Sequence, residues 1–295
     1  MLKRSIIVES KARITTGLEQ LYIETGERKA QVPIEDLGFL LVENQQSYIS
    51  IPALNKLIEN NVAVIFCNEK HLPVSMLMNL NSHHTQQEIF KHQIKASEPL
   101  KKQLWQQTVK KKILNQAELL ERQGHTKHPL RTFASKVLSG DTTNREAMAA
   151  AYYWKHIFGF PFVRERGGPY PNLFLNYGYT VLRAAVARAL SASGLLNTLG
   201  IHHRNKYNAY ALADDIMEPF RPLVDKKVID IMEQFPGEEE LTSEIKKMLL
   251  SIVTETVYFG KIKSPLMVGL QRTSASLQQC FRGEKRKINY PDLWN

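Results

Sequence analysis

Three stretches of this chain concentrate side chains able to do chemistry. The richest is GIHHRNKYNAYALADDIMEPFRPLVD, residues 200 to 225, which sets His202, His203, Asp214, Asp215 and Glu218 beside several cations among apolar residues. A face that only meets water does not need that mixture. Asp215 and Glu218 are three apart, so a helical turn would place both carboxylates on one face, able to share a cation or hold a histidine. Pro219 and Pro222 mark a kink or a second helical start, since proline suits a first turn and disrupts later ones. A purely structural account is also available. Asp214 or Asp215 could cap a helix, Glu218 and Arg221 could form a surface i, i+3 ion pair, and His202 could pack or face solvent. His203 is open on spacing alone.

The second stretch is NREAMAAAYYW, residues 144 to 154, with Glu146 at the head of an alanine-rich helix. The helix dipole and capping favour a first-turn glutamate whatever its function. Ala147, Ala149, Ala150 and Ala151 would let another helix approach closely. One histidine and two or three carboxylates from different helices make a hard, oxygen-rich site suited to Mg²⁺ or Mn²⁺. Zinc suits it less, because no cysteine joins the set. The third stretch, LFLNYGYTVLRAAVARAL (173 to 190), reads as a buried helix. Tyr177 and Tyr179 are then core aromatics, or hydroxyls at a helix head reaching a phosphate. Lys110, Lys111 and Lys112 form either a solvated helix face or a set of nucleic-acid backbone contacts, which position without reading sequence.

These residues need a scaffold, and 295 residues at 33.8 kDa allow one large domain or two. Composition is globular, with 43% apolar and 23% charged residues. The first 80 or so residues read as strands: SIIVES, ARITT, QLYIE and KAQVPI, the last two joined at Thr25-Gly26 as a hairpin. FLLVE and VAVIFC (62 to 67) read as more deeply buried strands, separated by a short helix over 51 to 61 that Ser50 caps. From Thr85 the period becomes helical. Two helices break near Pro99 and stop at Gly124, and helices follow around 134 to 138, from Arg145 to Phe158 and from Tyr177 to Ala192. SHHTQQ (82 to 87) is the expected linker, GFPFVRERGGPYPN (159 to 172) an exposed loop, and RGEKRK (282 to 287) a mobile tail. The expectation is an α+β protein: a small β-rich domain over 1–85, then a larger, mainly α-helical domain over 86–295.

Charge divides the same way. Residues 1 to 85 carry 8 Lys or Arg against 9 Asp or Glu, whereas residues 86 to 295 carry 31 against 20. The helical part therefore expects a polyanion, nucleic acid first, with surface solubility as the alternative. Cys67 and Cys280 lie far apart and form no CxxC motif, which suits a reducing, cytoplasmic compartment. The N-terminus lacks a signal-peptide core and no apolar run reaches membrane-span length, so no membrane partner is expected.

The ordered succession NREAMAAAYYW, LNYGYTVLRA and GIHHRNKYNAYALADDIMEPFRPLVD resembles the CRISPR-associated protein one family, the integrase that inserts spacers into CRISPR arrays. The resemblance spans essentially the whole chain. It implies a metal site of Glu146, His203 and Glu218, with Asp215 as a supporting residue. Tyr177 matches the tyrosine of the family's Leu-x-Tyr-Gly segment, and Arg221 falls where a cation is common. His202 stands where an aromatic or apolar residue is more usual, and Glu218 with its MEPFRPLVD continuation is similar to the type II branch. The implied chemistry is Mg²⁺- or Mn²⁺-dependent transesterification, in which a 3′-hydroxyl of a short DNA duplex attacks a phosphodiester at the edge of a repeat. Implied partners are double-stranded DNA, a second copy of the chain joined through the β-rich domain, and a small companion protein completing a hetero-hexamer. Two other functions stay open: a metal-dependent nuclease using water, and a non-catalytic DNA-binding scaffold.

Overall fold

The computed structural model describes residues 4–26, 28–69, 71–77, 79, 83–159, 161–165 and 167–295. Its N-terminal part comprises β1 (Arg4–Val8), β2 (Arg13–Gly17), β3 (Gln20–Thr25), β4 (Arg28–Pro33), β5 (Leu37–Val42), β6 (Tyr48–Ile49), α1 (Ile51–Glu59), β7 (Ala63–Cys67) and β8 (Pro73–Leu77). One sheet runs β4-β3-β2-β6 and the other β1-β5-β7-β8. The expected hairpin is present, with Thr25 paired to Arg28 around Gly26, whose φ of 57° is the left-handed conformation glycine tolerates. Ser50 caps α1 by accepting the Ala53 N–H at 3.3 Å.

Every residue of β5 is buried because both faces of its sheet are covered. Phe39 and Leu41, with Ala63, Ile65 and Cys67 of β7, belong to the core of the helical part. Leu40, Val42 and Val64 alternate to the opposite face and meet Ile14, Leu21 and Leu57. The β-rich part thus packs directly onto the helices. Lys246 adds a buried ion pair to Glu43 at 2.5 Å, and Arg188 donates to the Asn61 carbonyl.

The helical part begins with α2 (Gln86–Ile94) and α3 (Glu98–Arg122), divided near Pro99 as expected, with Ser97 capping α3, which ends just before Gly124 at φ 78°. The next helix, α4 (His128–Ser135), lies ahead of the expected 134 to 138, because Pro129 in its first turn sets the start. Then come α5 (Arg145–Ile157), α6 (Asn172–Ala192), α7 (Ala211–Met217), α8 (Arg221–Gln234), α9 (Ser243–Leu250), β9 (Thr256–Phe259), β10 (Ile262–Pro265) and α10 (Leu266–Phe281). The buried Asn172 explains why α6 starts five residues early. Its amide donates to the Val163 and Pro169 carbonyls, both at 3.0 Å, and fastens the preceding loop to the helix head. Of that loop, Phe160 and Arg166 lie outside the described residues, as does Ser82 of the expected linker.

The expected mobile tail is corrected by the structure. Residues 282 to 287 are exposed, but Ile288, Pro291 and Leu293 beyond them are buried. Gln107 of α3 donates to the Arg286 carbonyl and accepts the Ile288 N–H, each at 2.9 Å, and Thr108 meets the Tyr290 hydroxyl at 2.9 Å. The segment is a strap laid across α3. Both cysteines are buried thiols. No helix among the described residues is long and apolar enough to cross a membrane.

Candidate active site

Glu146 is placed by its neighbour in sequence, Asp141, whose two carboxylate oxygens accept the Arg145 and Glu146 N–H groups at 2.9 Å each. These are the free donors of the first turn of α5. From there the Glu146 side chain meets the Lys112 ammonium of α3 at 2.6 Å. On the other side of that ammonium, at 2.5 Å, lies Glu218, in the tight turn between α7 and α8. The second oxygen of Glu218 is 2.8 Å from Arg221 Nε. The expected i, i+3 pair therefore exists, but inside the protein rather than on its surface. Burial pushes the Glu218 carboxyl up, yet Arg221 and Lys112 together hold it below the ordinary carboxylate value. Burial likewise opposes the charge on Lys112, and Glu218 and Glu146 outweigh it, so its ammonium holds its proton more tightly than usual.

Asp215 is fully buried and accepts three backbone N–H groups, from Ile201 at 2.6 Å, His202 at 2.9 Å and His203 at 3.2 Å. Its Oδ1 also lies 2.5 Å from His203 Nδ1. A carboxylate only accepts, so Nδ1 carries the proton and the lone pair of the neutral ring is on Nε2. This hydrogen bond outweighs burial and raises the His203 pKa. Gly200 is required here, because a Cβ would come within 2.6 Å of the His203 carbonyl oxygen and 2.7 Å of Asp215 Oδ2. The adjacent His202 is held differently: it stacks on Trp105 of α3 at 4.1 Å with the planes 1° apart, while His203 meets the same indole edge-on at 5.8 Å. Asp214 caps nothing. It takes a bidentate contact from Arg183, at 2.6 and 2.9 Å.

Tyr177 is not brought to these carboxylates. It is buried on α6, on the side facing Cys67 and Glu43 of the β-rich part, and its hydroxyl has no hydrogen-bond partner among the described residues. It lines a cleft of about 420 Å³ together with Arg164, Arg183 and Arg221. Tyr179 supports Arg221, whose guanidinium sits 4.6 Å over its ring.

The lysine run divides. Lys110 is exposed, Lys111 pairs with Asp292 at 2.5 Å, and Lys112 is at the centre of the site. Sequence reasoning placed no weight on Trp105 or Asp141, and it read Lys112 only as part of a solvated face or a set of nucleic-acid backbone contacts, not as a residue between the two glutamates. Asp141 carried a signal, being five residues ahead of Glu146 at a helix start. The two α3 residues carried none, since only tertiary packing brings that helix beneath the histidines.

A divalent ion fits part of this arrangement. Glu146 and Glu218 already converge on one point charge through hard oxygen donors, and the buried Glu218 Oε2 has the Lys112 ammonium at 2.5 Å as its close contact among the described residues. His203 Nε2 is the nitrogen that Asp215 leaves able to ligate. As the side chains stand, no three His, Cys, Asp or Glu residues among those described are gathered closely enough to hold a metal ion.

Residues 5–251 match the family of CRISPR associated protein Cas1. The chain belongs to this family. It is 39% identical over 296 residues to the CRISPR-associated endonuclease Cas1 of Neisseria meningitidis serogroup C (strain 8013), covering 99% of this chain and 97% of that relative. Two solved structures share the fold at low identity. A casposase bound to integration product aligns at a TM-score of 0.81, 17% identity, over 98% of this chain and 93% of its own. A chain of a Cas6-RT-Cas1–Cas2 complex aligns at 0.76, 19% identity, over 99% of this chain and 36% of its own.

Proposed function

We propose that the protein is the DNA integrase of CRISPR adaptation, joining short duplexes to the repeat by transesterification. The observation carrying this reading is the meeting of Glu146, from the head of α5, and Glu218, from the turn between α7 and α8, on one buried cation position. Support comes from the endonuclease name of the 39% identical relative and from a casposase of the same fold caught with its integration product. In the reaction the 3′-hydroxyl oxygen of the incoming strand bonds to phosphorus, and the target strand leaves as a new 3′-hydroxyl. One phosphodiester is exchanged for another, so no nucleotide hydrolysis is required.

Glu146, Glu218 and His203 Nε2 hold Mg²⁺ or Mn²⁺, which supplies charge stabilisation at the phosphate oxygens when bound. Asp215 keeps His203 in the tautomer and orientation for that task, and Arg221 fixes Glu218. Tyr177 is assigned to the cleft wall beside the arginines rather than to the reacting atoms. Residues 1–85 form the dimerising domain and residues 86–295 the catalytic, DNA-binding one. The working assembly is a homodimer that joins a small Cas2-like companion in a hetero-hexamer, in the cytoplasm. A structural neighbour is a Cas1–Cas2 complex, which supports the companion.

The test mixes a labelled duplex bearing free 3′-OH ends with a repeat-bearing plasmid and Mn²⁺. Wild-type protein is expected to give strand-joined product and His203→Ala none. Cut but unjoined DNA would indicate attack by water, and undiminished joining by Glu146→Ala would indicate a scaffold without chemistry.

A further inference from the structure

Lys112 stands where the two carboxylates converge, and its position matters more than its charge alone. Its ammonium is 2.6 Å from Glu146 and 2.5 Å from Glu218, and its side chain is only 12% exposed. A buried carboxylate and a half-buried one with no cation between them would repel each other at close range. Lys112 removes that repulsion. Arg221 also neutralises Glu218, but it is fixed on two sides, by the carboxylate at 2.8 Å and by the Tyr179 ring at 4.6 Å. Lysine is a compact point charge on a flexible four-carbon stem, able to withdraw where a stacked guanidinium is not. Its contact with Glu218 Oε2 at 2.5 Å is made by a single ammonium rather than a two-pronged fork.

We propose that Lys112 is an exchangeable internal counter-ion: it holds Glu146 and Glu218 together in the cation-free protein and yields their oxygens when a divalent cation binds. The inference rests on the reading of these carboxylates as metal ligands. An ammonium and a divalent ion cannot occupy the same oxygens, because like charges a few ångströms apart in a low-dielectric site repel strongly. Lysine and metal therefore compete for one position. A lysine-bridged state favoured ten to one lowers the apparent cation affinity by about tenfold.

The experiment titrates Mn²⁺ into the protein by calorimetry and records Tm in chelator. Relative to wild type, Lys112→Met is expected to bind Mn²⁺ about tenfold tighter, to melt lower in chelator, and to regain Tm on adding Mn²⁺. Lys112→Arg, which can bridge both carboxylates through its fork, is expected to bind more weakly than wild type while keeping its Tm in chelator. Equal or weaker Mn²⁺ binding by Lys112→Met overturns the proposal. Should that variant fail to fold without metal, unchanged affinity in Lys112→Arg overturns it instead. A Glu146→Gln, Glu218→Gln protein separates the two readings. Wild-type Mn²⁺ binding that does not depend on these glutamates overturns the metal site and this inference together. Glutamate-dependent binding indifferent to residue 112 overturns this inference alone.

Discussion

Asp225 is fully enclosed between two phenols, accepting from Tyr153 at 2.7 Å and from Tyr179. Burial pushes its carboxyl up to about 6 from 3.8, against the opposing pull of the two tyrosines. The folded protein then binds this proton more tightly than the unfolded chain does, so stability falls as pH rises from about 4 through about 6. Asp225→Asn removes that dependence. Urea unfolding at pH 4 and pH 7 should show the variant gaining on wild type by up to about 3 kcal/mol at the higher pH; a difference independent of pH would contradict the assignment. Residues of this kind were hard to find by reading. Glu146, His203, Asp215 and Glu218 stood out because their types suit metal and phosphate chemistry, whereas Asp225 and Lys112 gain their meaning from neighbours 72 and 106 positions away, Tyr153 and Glu218.

Helix α6 illustrates what spacing can and cannot say about an element. Its apolar period predicted a buried helix, but not that Gly178 is the point where α8 crosses it. A Cβ at Gly178 would stand 2.5 Å from Val224 Cγ1 and 3.4 Å from Leu249 Cδ2. Replacing glycine by alanine in a helix ordinarily stabilises, by up to about 1 kcal/mol. Here the overlap reverses the sign, and Gly178→Ala is expected to destabilise by about 1–3 kcal/mol in thermal or urea melts. A stabilised variant would show that the two helices separate more easily than their packing indicates. The strands over 4–42 and the break at Pro99 were legible because local turn and capping chemistry sets them. The strap after residue 282 was not, because its basic composition matches a solvated tail while its three buried apolar residues find their place only through tertiary packing, the strap being held by α3, α10 and β9.

At the scale of the molecule, charge and architecture coincide: the near-neutral β-rich part leans on a helical part with 31 basic and 20 acidic side chains. If that excess follows a DNA backbone, affinity should fall roughly 10³-fold or more between 50 and 200 mM salt, as for proteins making several phosphate contacts. A flat salt response in a filter-binding titration would contradict it. Lys110→Ala should weaken binding for all sequences alike and reduce the salt slope by about one. Lys111 and Lys112 should not behave this way, since Asp292 and the two glutamates already occupy them. The strap has a further bearing on how the molecule is made. Thr108 and Tyr290 are 182 positions apart, so the helix beneath the histidines has to wait for residue 290 to leave the ribosome before its outer flank is covered. Nascent protein halted before that point would carry every proposed ligand and still present α3 half-clothed to the cell.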